Sequence, residues 1–205
     1  KKTVVLASMG PVTGNWDPTS HTTLGQGNFE KFVFNGLTRA PMRDGEADKL
    51  EPALAESWSL IDANTLEFKL RSGVKFHDGK EFSAEDVKAT YEYSSDPARP
   101  AASFCPGRVD VEIVDPLTVR LHTEKHGYPA SAWWFVSSML PILSARDVAD
   151  PKTLEKRPNG TNAFKYVETK GDQNVLHAYD DFYGGRPKID EVIYAYVPDA
   201  NTRVL

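Results

Sequence analysis

Two histidines in His122-Thr123-Glu124-Lys125-His126 stand four residues apart, a spacing that on a helix would let both imidazoles share a metal ion. The residues leading into them, Val119-Arg120-Leu121, alternate as a strand does. Along a strand that spacing separates two side chains by ~13 Å. Gly127 then interrupts any helix, so no metal site is expected here. The lone cysteine, Cys105, lies in Ser103-Phe104-Cys105-Pro106-Gly107. A catalytic thiol needs a histidine, a cation or a helix N-terminus to lower its pKa, and this loop supplies none in sequence. Cys105 therefore reads as a small packed side chain that forms no internal disulfide. Carboxylates are numerous, but none pair in a defensible catalytic motif. The chain has no Gly-x-Ser-x-Gly, no His-Glu-x-x-His and no phosphate loop. These absences point away from an enzyme and toward a chain that binds without bond-making chemistry and without a cofactor.

The side chains left for recognition are aromatic and polar, and they must be held by the elements around them. Forty per cent of the 205 residues are apolar and 11% aromatic, which is a globular composition with material for a real core. The formal net charge of −5 argues against a nucleic-acid partner, which wants a basic face. No stretch approaches the ~18 consecutive apolar residues of a membrane span. Lys1-Lys2 leads directly into Thr3–Ala7, which fits a mature processed chain or a cytoplasmic one.

The run Thr3–Ala7 reads as a buried strand that empties into Ser8-Met9-Gly10-Pro11. Phe29, Phe32 and Val33 predict a short amphipathic helix over 25–35. A turn-rich stretch is expected at 40–48, and an anchored turn with apolar contacts at 51–58. Trp58, Leu60, Leu66, Phe68 and Leu70 alternate around Asp62-Ala63-Asn64 as a hairpin. Ser83-Ala84-Glu85-Asp86 opens a helix, with two acids in its positive first turn. Asp96-Pro97 and Arg99-Pro100 end it. A second hairpin turns at Asp115-Pro116, and a helix follows Pro129 to about Met139. Short helical pieces at 145–149 and 152–156 precede strands at 163–168, 174–179 and 192–197. The sum is an α+β (mixed α/β) chain of hairpins, mixed sheets and short helices, with no internal repeat.

Several of these segments resemble one family in order along nearly the whole chain. They are Leu54-Ala55-Glu56-Ser57-Trp58, then Leu70-Arg71-Ser72-Gly73-Val74-Lys75-Phe76-His77-Asp78-Gly79, then Ser83-Ala84-Glu85-Asp86-Val87. With Trp16-Asp17-Pro18, Phe32-Val33-Phe34-Asn35-Gly36-Leu37, Val114-Asp115-Pro116 and Asp180-Asp181-Phe182-Tyr183-Gly184-Gly185, they resemble the family 5 extracellular solute-binding proteins. These serve the peptide, opine and nickel class of ABC importers. One departure is Gly160-Thr161-Asn162-Ala163-Phe164, where the family usually has Gly-Thr-Gly-Pro-Phe. Asn162 is the residue best able to replace that glycine in a left-handed conformation.

The resemblance implies the first lobe of a class II-like periplasmic binding protein fold, in a chain that is a portion of a longer two-lobed protein. It implies a core subdomain of 1–37 and 140–205, with 38–139 inserted as a hairpin and helix subdomain. It also implies a monomer outside the cytoplasm, periplasmic or extracellular, with an ABC permease in the membrane as partner. The solute would be a peptide, an opine or a similar small molecule. A nickel or metal-chelate binder and a ligand-sensing domain that reuses the fold are the alternatives.

The signature residues themselves are hairpin-core and turn types rather than site types. The solute is expected where loops face a second lobe. The first such place is the loop from Met9 and Gly10 to His21 and Thr22; the second is Phe104. The third is the helix exit from Trp134 to Ser138 and Met139, with one of Trp133 and Trp134 in the core and the other exposed. Residues aligned with His21, Ser138 and Met139 face the ligand in the family, and Asn162 lies near its hinge and cleft.

Overall fold

The computed structural model describes residues 1–12, 14–40, 50–199 and 202. The turn-rich stretch expected at 40–48 lies, after Ala40, outside the described residues.

The period-two segments fold where their turns allow. Strands β4 (Ala55–Asp62) and β5 (Thr65–Leu70) form a hairpin, and Asp62 accepts the Asn64 amide at 2.8 Å to fix the turn. Strands β6 (Asp110–Asp115) and β7 (Thr118–His122) repeat the device, with Asp115 accepting the Leu117 amide at 2.8 Å. The two hairpins join in one antiparallel sheet of order β4-β5-β7-β6. Phe68 opposes Trp58 on one side and Val119 on the other. The anchored turn expected at 51–58 is instead the short strand β3 (Glu51–Pro52), paired with β2 (Thr38–Arg39), followed directly by β4.

A second sheet has the order β1-β10-β9-β8, built from β1 (Thr3–Ser8), β8 (Phe164–Lys170), β9 (Gln173–Ala178) and β10 (Glu191–Tyr196). The β1–β10 pair is parallel and the other pairs are antiparallel. The expectation of a buried first strand is corrected here. β1 is an outer strand of its sheet, and Val5 is 62% exposed. An unbroken apolar run fits a strand buried on both faces, but only one face of β1, through Leu6, packs against the core.

The helices are α1 (Leu24–Val33), α2 (Ala84–Ser94), α3 (Trp133–Met139) and α4 (Ala145–Ala149). Pro129 does not begin α3. It precedes a 3₁₀ turn, Ala130–Ala132, that leads into it. Another 3₁₀ turn spans Pro100–Phe104. The buried apolar side chains form two clusters. One runs from Leu37 to Ile142 and holds both hairpins, Val87, Tyr91 and Trp133. The other combines Trp16, Phe29, Val33 and Phe34 with Leu143, Leu154, Leu176, Val192 and Tyr194.

The turn Phe76-His77-Asp78-Gly79 locks the clusters together. The His77 amide donates to the Gly160 carbonyl at 2.8 Å, and the Asp78 amide to Asn159 Oδ1 at 3.2 Å. His77 Nε2 donates to the Asn162 carbonyl at 2.7 Å, and Tyr179 OH donates to the Phe76 carbonyl at 2.9 Å. Lys165 Nζ donates to the His77 carbonyl at 2.7 Å, and Arg146 pairs with Asp78. Asp86, fully buried at the start of α2, accepts the Ser83 amide and the Ala145 amide, each at 2.8 Å, and so binds α2 to α4.

Gly160 must be glycine for this junction to close. A Cβ there would stand 2.0 Å from the Val33 carbonyl oxygen and 2.6 Å from its carbon. Gly27, inside α1, has nothing within 4 Å of such a Cβ. Urea denaturation should therefore give opposite signs. Gly160→Ala is expected to lower stability by roughly 2–3 kcal/mol. Gly27→Ala is expected to raise it by about 1 kcal/mol, because alanine restricts the unfolded chain and suits a helix.

Candidate functional site

The loop after β1 is tied down from within. Ser8 Oγ donates to the Gly10 carbonyl at 2.7 Å, and Gly10 packs backbone to backbone on Gly25 of α1. Gln26 Nε2 donates to the Asn15 carbonyl at 3.0 Å. His21 Nε2 donates to Glu30 Oε1 at 2.7 Å, while His21 Nδ1 is buried without a hydrogen-bond partner. Burial raises the Glu30 carboxyl above its ordinary value against the lowering effect of His21. Gln26 and Glu30 sit one helical turn apart on α1, and both are buried.

Asp17 is the polar centre of the loop. Its Oδ1 accepts from the Thr19 amide at 2.8 Å and from Thr19 Oγ1 at 2.7 Å. Its Oδ2 accepts from Tyr93 OH at 2.9 Å and from Arg99 Nη1 at 3.2 Å. The Arg99 guanidinium lies over the Tyr93 ring, 3.3 Å from its centroid. Burial, and after it the Asp17 carboxylate, pushes the Tyr93 hydroxyl up to about 12.

The expected site residues fall into two groups. Met9, Phe104, Trp134 and Met139 are 74%, 53%, 39% and 51% exposed, and Thr22 is also exposed. They are among the largest apolar surfaces that the described residues leave open. Trp133 is fully buried against Tyr91, with ring centroids 5.6 Å apart, so the tryptophan pair divides into one core and one exposed ring. Gly10, His21 and Ser138 are half-buried. Ser137 beside them bonds Thr38, Oγ to Oγ, at 2.7 Å, which fixes the exit of α3 against β2.

Asn162 serves the backbone. Its amide N donates to the Val33 carbonyl at 2.9 Å. Its Nδ2 donates to the carbonyls of Lys31 at 2.7 Å and Phe34 at 3.1 Å. Three carbonyls at the end of α1 are thereby satisfied. The expected left-handed conformation is corrected, since no non-glycine residue among the described ones has a positive φ. Asn162 stands in for glycine by its side-chain hydrogen bonds rather than by its backbone angle.

The two histidines with metal-like spacing diverge. His122 ends β7 and meets Glu112 at 2.7 Å, while His126 lies in a 3₁₀ turn near Asp110 at 3.6 Å. Among the described residues, no group of three or more His, Cys, Asp or Glu side chains could hold a metal ion. Burial pushes the Cys105 thiol up to about 11, so it is protonated at neutral pH. Sequence reasoning missed Asp17, Tyr93, Arg99, Gln26 and Glu30 as organisers of the site. The local signals were the burial-incompatible pair Gln26 and Glu30 beside Phe29, and an arginine placed in a helix-ending segment.

The mixed sheets and short helices thus carry buried polar anchors at Asp17, Gln26 and Glu30 and exposed apolar side chains at Met9, Phe104, Trp134 and Met139. The sequence profile of the bacterial extracellular solute-binding proteins, family 5, matches residues 49–205, and the chain belongs to that family. It is 33% identical to Heme-binding protein A of Haemophilus influenzae over 201 aligned positions, covering 83% of this chain and 36% of that protein. It is 33% identical to the oligopeptide-binding protein AppA of Bacillus subtilis over 187 positions, covering 86% of this chain and 34% of that one. The solved structure of that AppA, in complex with a nonapeptide, superposes with a TM-score of 0.84 at 28% identity. That superposition covers 98% of this chain and 41% of the other. This chain thus spans little more than a third of the length of these curated relatives. Among the described residues, no helix is long and apolar enough to cross a membrane.

The buried His77 gives the junction a pH dependence. Burial, foremost, lowers its pKa from 6.5 to about 4, and its Nδ1 is buried without a partner for a second proton. Facing it are Lys165, Asp78 with its partner Arg146, and the Tyr179 ring 4.8 Å away. The folded value lies below the unfolded one, so the unfolded chain takes the extra proton first as pH falls. Stability from this group should be complete above about pH 6.5 and decline toward pH 4, by up to ~1.4 kcal/mol per pH unit. Glu30, raised by burial, contributes with the opposite sign. Urea titrations across this window, repeated with His77→Gln, isolate the histidine, and the variant should lose its share of the slope.

Proposed function

We propose that this chain forms the first lobe of a binding protein that captures a peptide or similar small solute between two lobes and delivers it to an ABC permease. The observation that carries this reading is the set of large apolar side chains, Met9, Phe104, Trp134 and Met139, left open on loops and a helix exit. Most of the largest rings, among them Trp16, Phe29, Phe68, Phe76, Tyr91 and Trp133, are buried in the two cores. Flat and flexible apolar groups suit a peptide, whose side chains vary. Support comes from family membership and from the named oligopeptide-binding relative. A planar apolar ligand of heme size is the second reading, favoured by the likeness to Heme-binding protein A.

In this mechanism residues 1–37 with 140–205 form the core subdomain, and 38–139 form an inserted subdomain fixed to it. Solute meets the open lobe first, and closure of the second lobe buries it. Contacts made only in the closed form bias the hinge, and that form docks on the permease. The protein works as a monomer outside the cytoplasm and makes no bonds.

Native mass spectrometry of the full-length protein should show a retained small solute, whose mass separates peptide from heme. Trp134→Ala and Phe104→Ala should each weaken binding of that solute roughly tenfold, about 1.4 kcal/mol, in calorimetry. Both rings are open to solvent, so the melting temperature should stay within ~2 °C. Unchanged affinity in both variants would remove this surface from the site.

A further inference from the structure

Two of the candidate contact segments are far apart in sequence, yet one polar cluster joins them. The first is the loop from Met9 to Thr22, and the second is the 3₁₀ turn Pro100–Phe104. Asp17 accepts from Tyr93 OH and Arg99 Nη1 through one oxygen and from Thr19 through the other. Arg99 Nη1 also donates to Thr19 Oγ1 at 3.1 Å, which closes the ring of contacts. The Ala101 amide, at the start of the turn, donates to the Thr19 carbonyl at 3.1 Å. Asp17 is 6% exposed, so its charge depends on these partners. Arg99 supplies what a lysine lacks. Its planar guanidinium stacks on the Tyr93 ring while its N–H groups reach Asp17 and Thr19.

The first segment leans on α1 through Gln26 and Glu30, while neither segment is itself a strand or a long helix. This cluster and the Ala101–Thr19 hydrogen bond tie one segment to the other, and the two segments carry the exposed Met9 and Phe104. We propose that Asp17 and Arg99 are positioning residues that hold the two solute-facing segments at one fixed spacing, so that the solute meets a preformed surface. This rests on the solute-binding reading given above. A preformed surface spares the solute the entropic cost of ordering two loops on binding.

The test uses the full-length protein and two independent arms. In the first, Pro11→Cys and Ser103→Cys, both at exposed positions, carry spin labels in a Cys105→Ser background. Electron–electron double resonance then reads the distance between the segments without any ligand. Arg99→Met and Tyr93→Phe should broaden that distribution, and Arg99→Lys should restore it only in part. Tyr93→Phe keeps the ring and guards against a variant that fails to fold. In the second arm, unlabelled Arg99→Met and Tyr93→Phe are titrated with a defined nonapeptide pool and with hemin. Arg99→Met should lose at least ~10-fold in affinity for the probe that the wild type binds.

An unchanged distance distribution overturns the proposal. So does a broadened one with unchanged affinity, since the spacing would then not matter to the solute. A wild type that binds neither probe tells against the solute reading, while the label distances still decide whether the cluster sets the spacing.

Discussion

Two apolar cores in one chain must be joined by polar backbone, and that join is the constraint on which the rest of the structure depends. The turn at Phe76–Gly79 carries it. Buried amides and carbonyls there have no helix or sheet ladder to satisfy them, so they pair across to residues 159–162 and to Tyr179 and Lys165. The same segment, through Asn162, closes the end of α1. One short stretch thus completes a helix terminus on one side and a turn on the other. Gly160 is the point of closest approach, where only a hydrogen fits. Part of the family signature, Phe76-His77-Asp78-Gly79, therefore lies in this joint, while another part, Asp17, lies in the candidate loop itself.

The candidate surface follows from the joint by way of the two helices that flank it. α1 supports the loop after β1 through Gln26 and Glu30. α2 presents Tyr93 to the same loop and feeds the segment carrying Arg99. Thr90 of α2 takes the Leu143 amide at 2.9 Å, which holds the chain where it passes from one core to the other. Buried polar groups of this kind add little net stability when paired, but removing one partner costs about 3–5 kcal/mol for a buried charge. Their effect is to restrict geometry. Phe104, on the turn that follows Arg99, stays exposed.

The hairpins were legible because their information is local. Alternation over six residues and an aspartate at the turn suffice, as at Asp62 and Asp115. The start of α2 was legible for the same reason, from Ser83 and Asp86 three residues apart. The division between Trp133 and Trp134 followed from their adjacency on a helix. Other features were not legible because their partners lie far away in sequence. Glu30 looks like a solvent-facing acid until His21 and the loop above it are placed. Arg99 looks like a helix terminator until Asp17 stands 3.2 Å from it. Asn162 suggested a backbone angle, when its amide instead answers carbonyls more than a hundred residues earlier. Val5 belongs to an apolar run that periodicity assigns to a core, and nothing within the run says which side of a sheet edge it occupies.

That edge has a further consequence, because the two borders of the sheet are unlike. β8 carries Lys165, Glu168 and Lys170 and a break in register between Tyr166 and Glu168, features that discourage another strand from adding. β1, Thr-Val-Val-Leu-Ala-Ser, has neither charge nor proline nor bulge, and among the described residues nothing pairs with its outer side. Its free amides and carbonyls form a template with β-branched side chains in register. That border is the place where a further strand would add. What covers β1 therefore decides whether that template stays open.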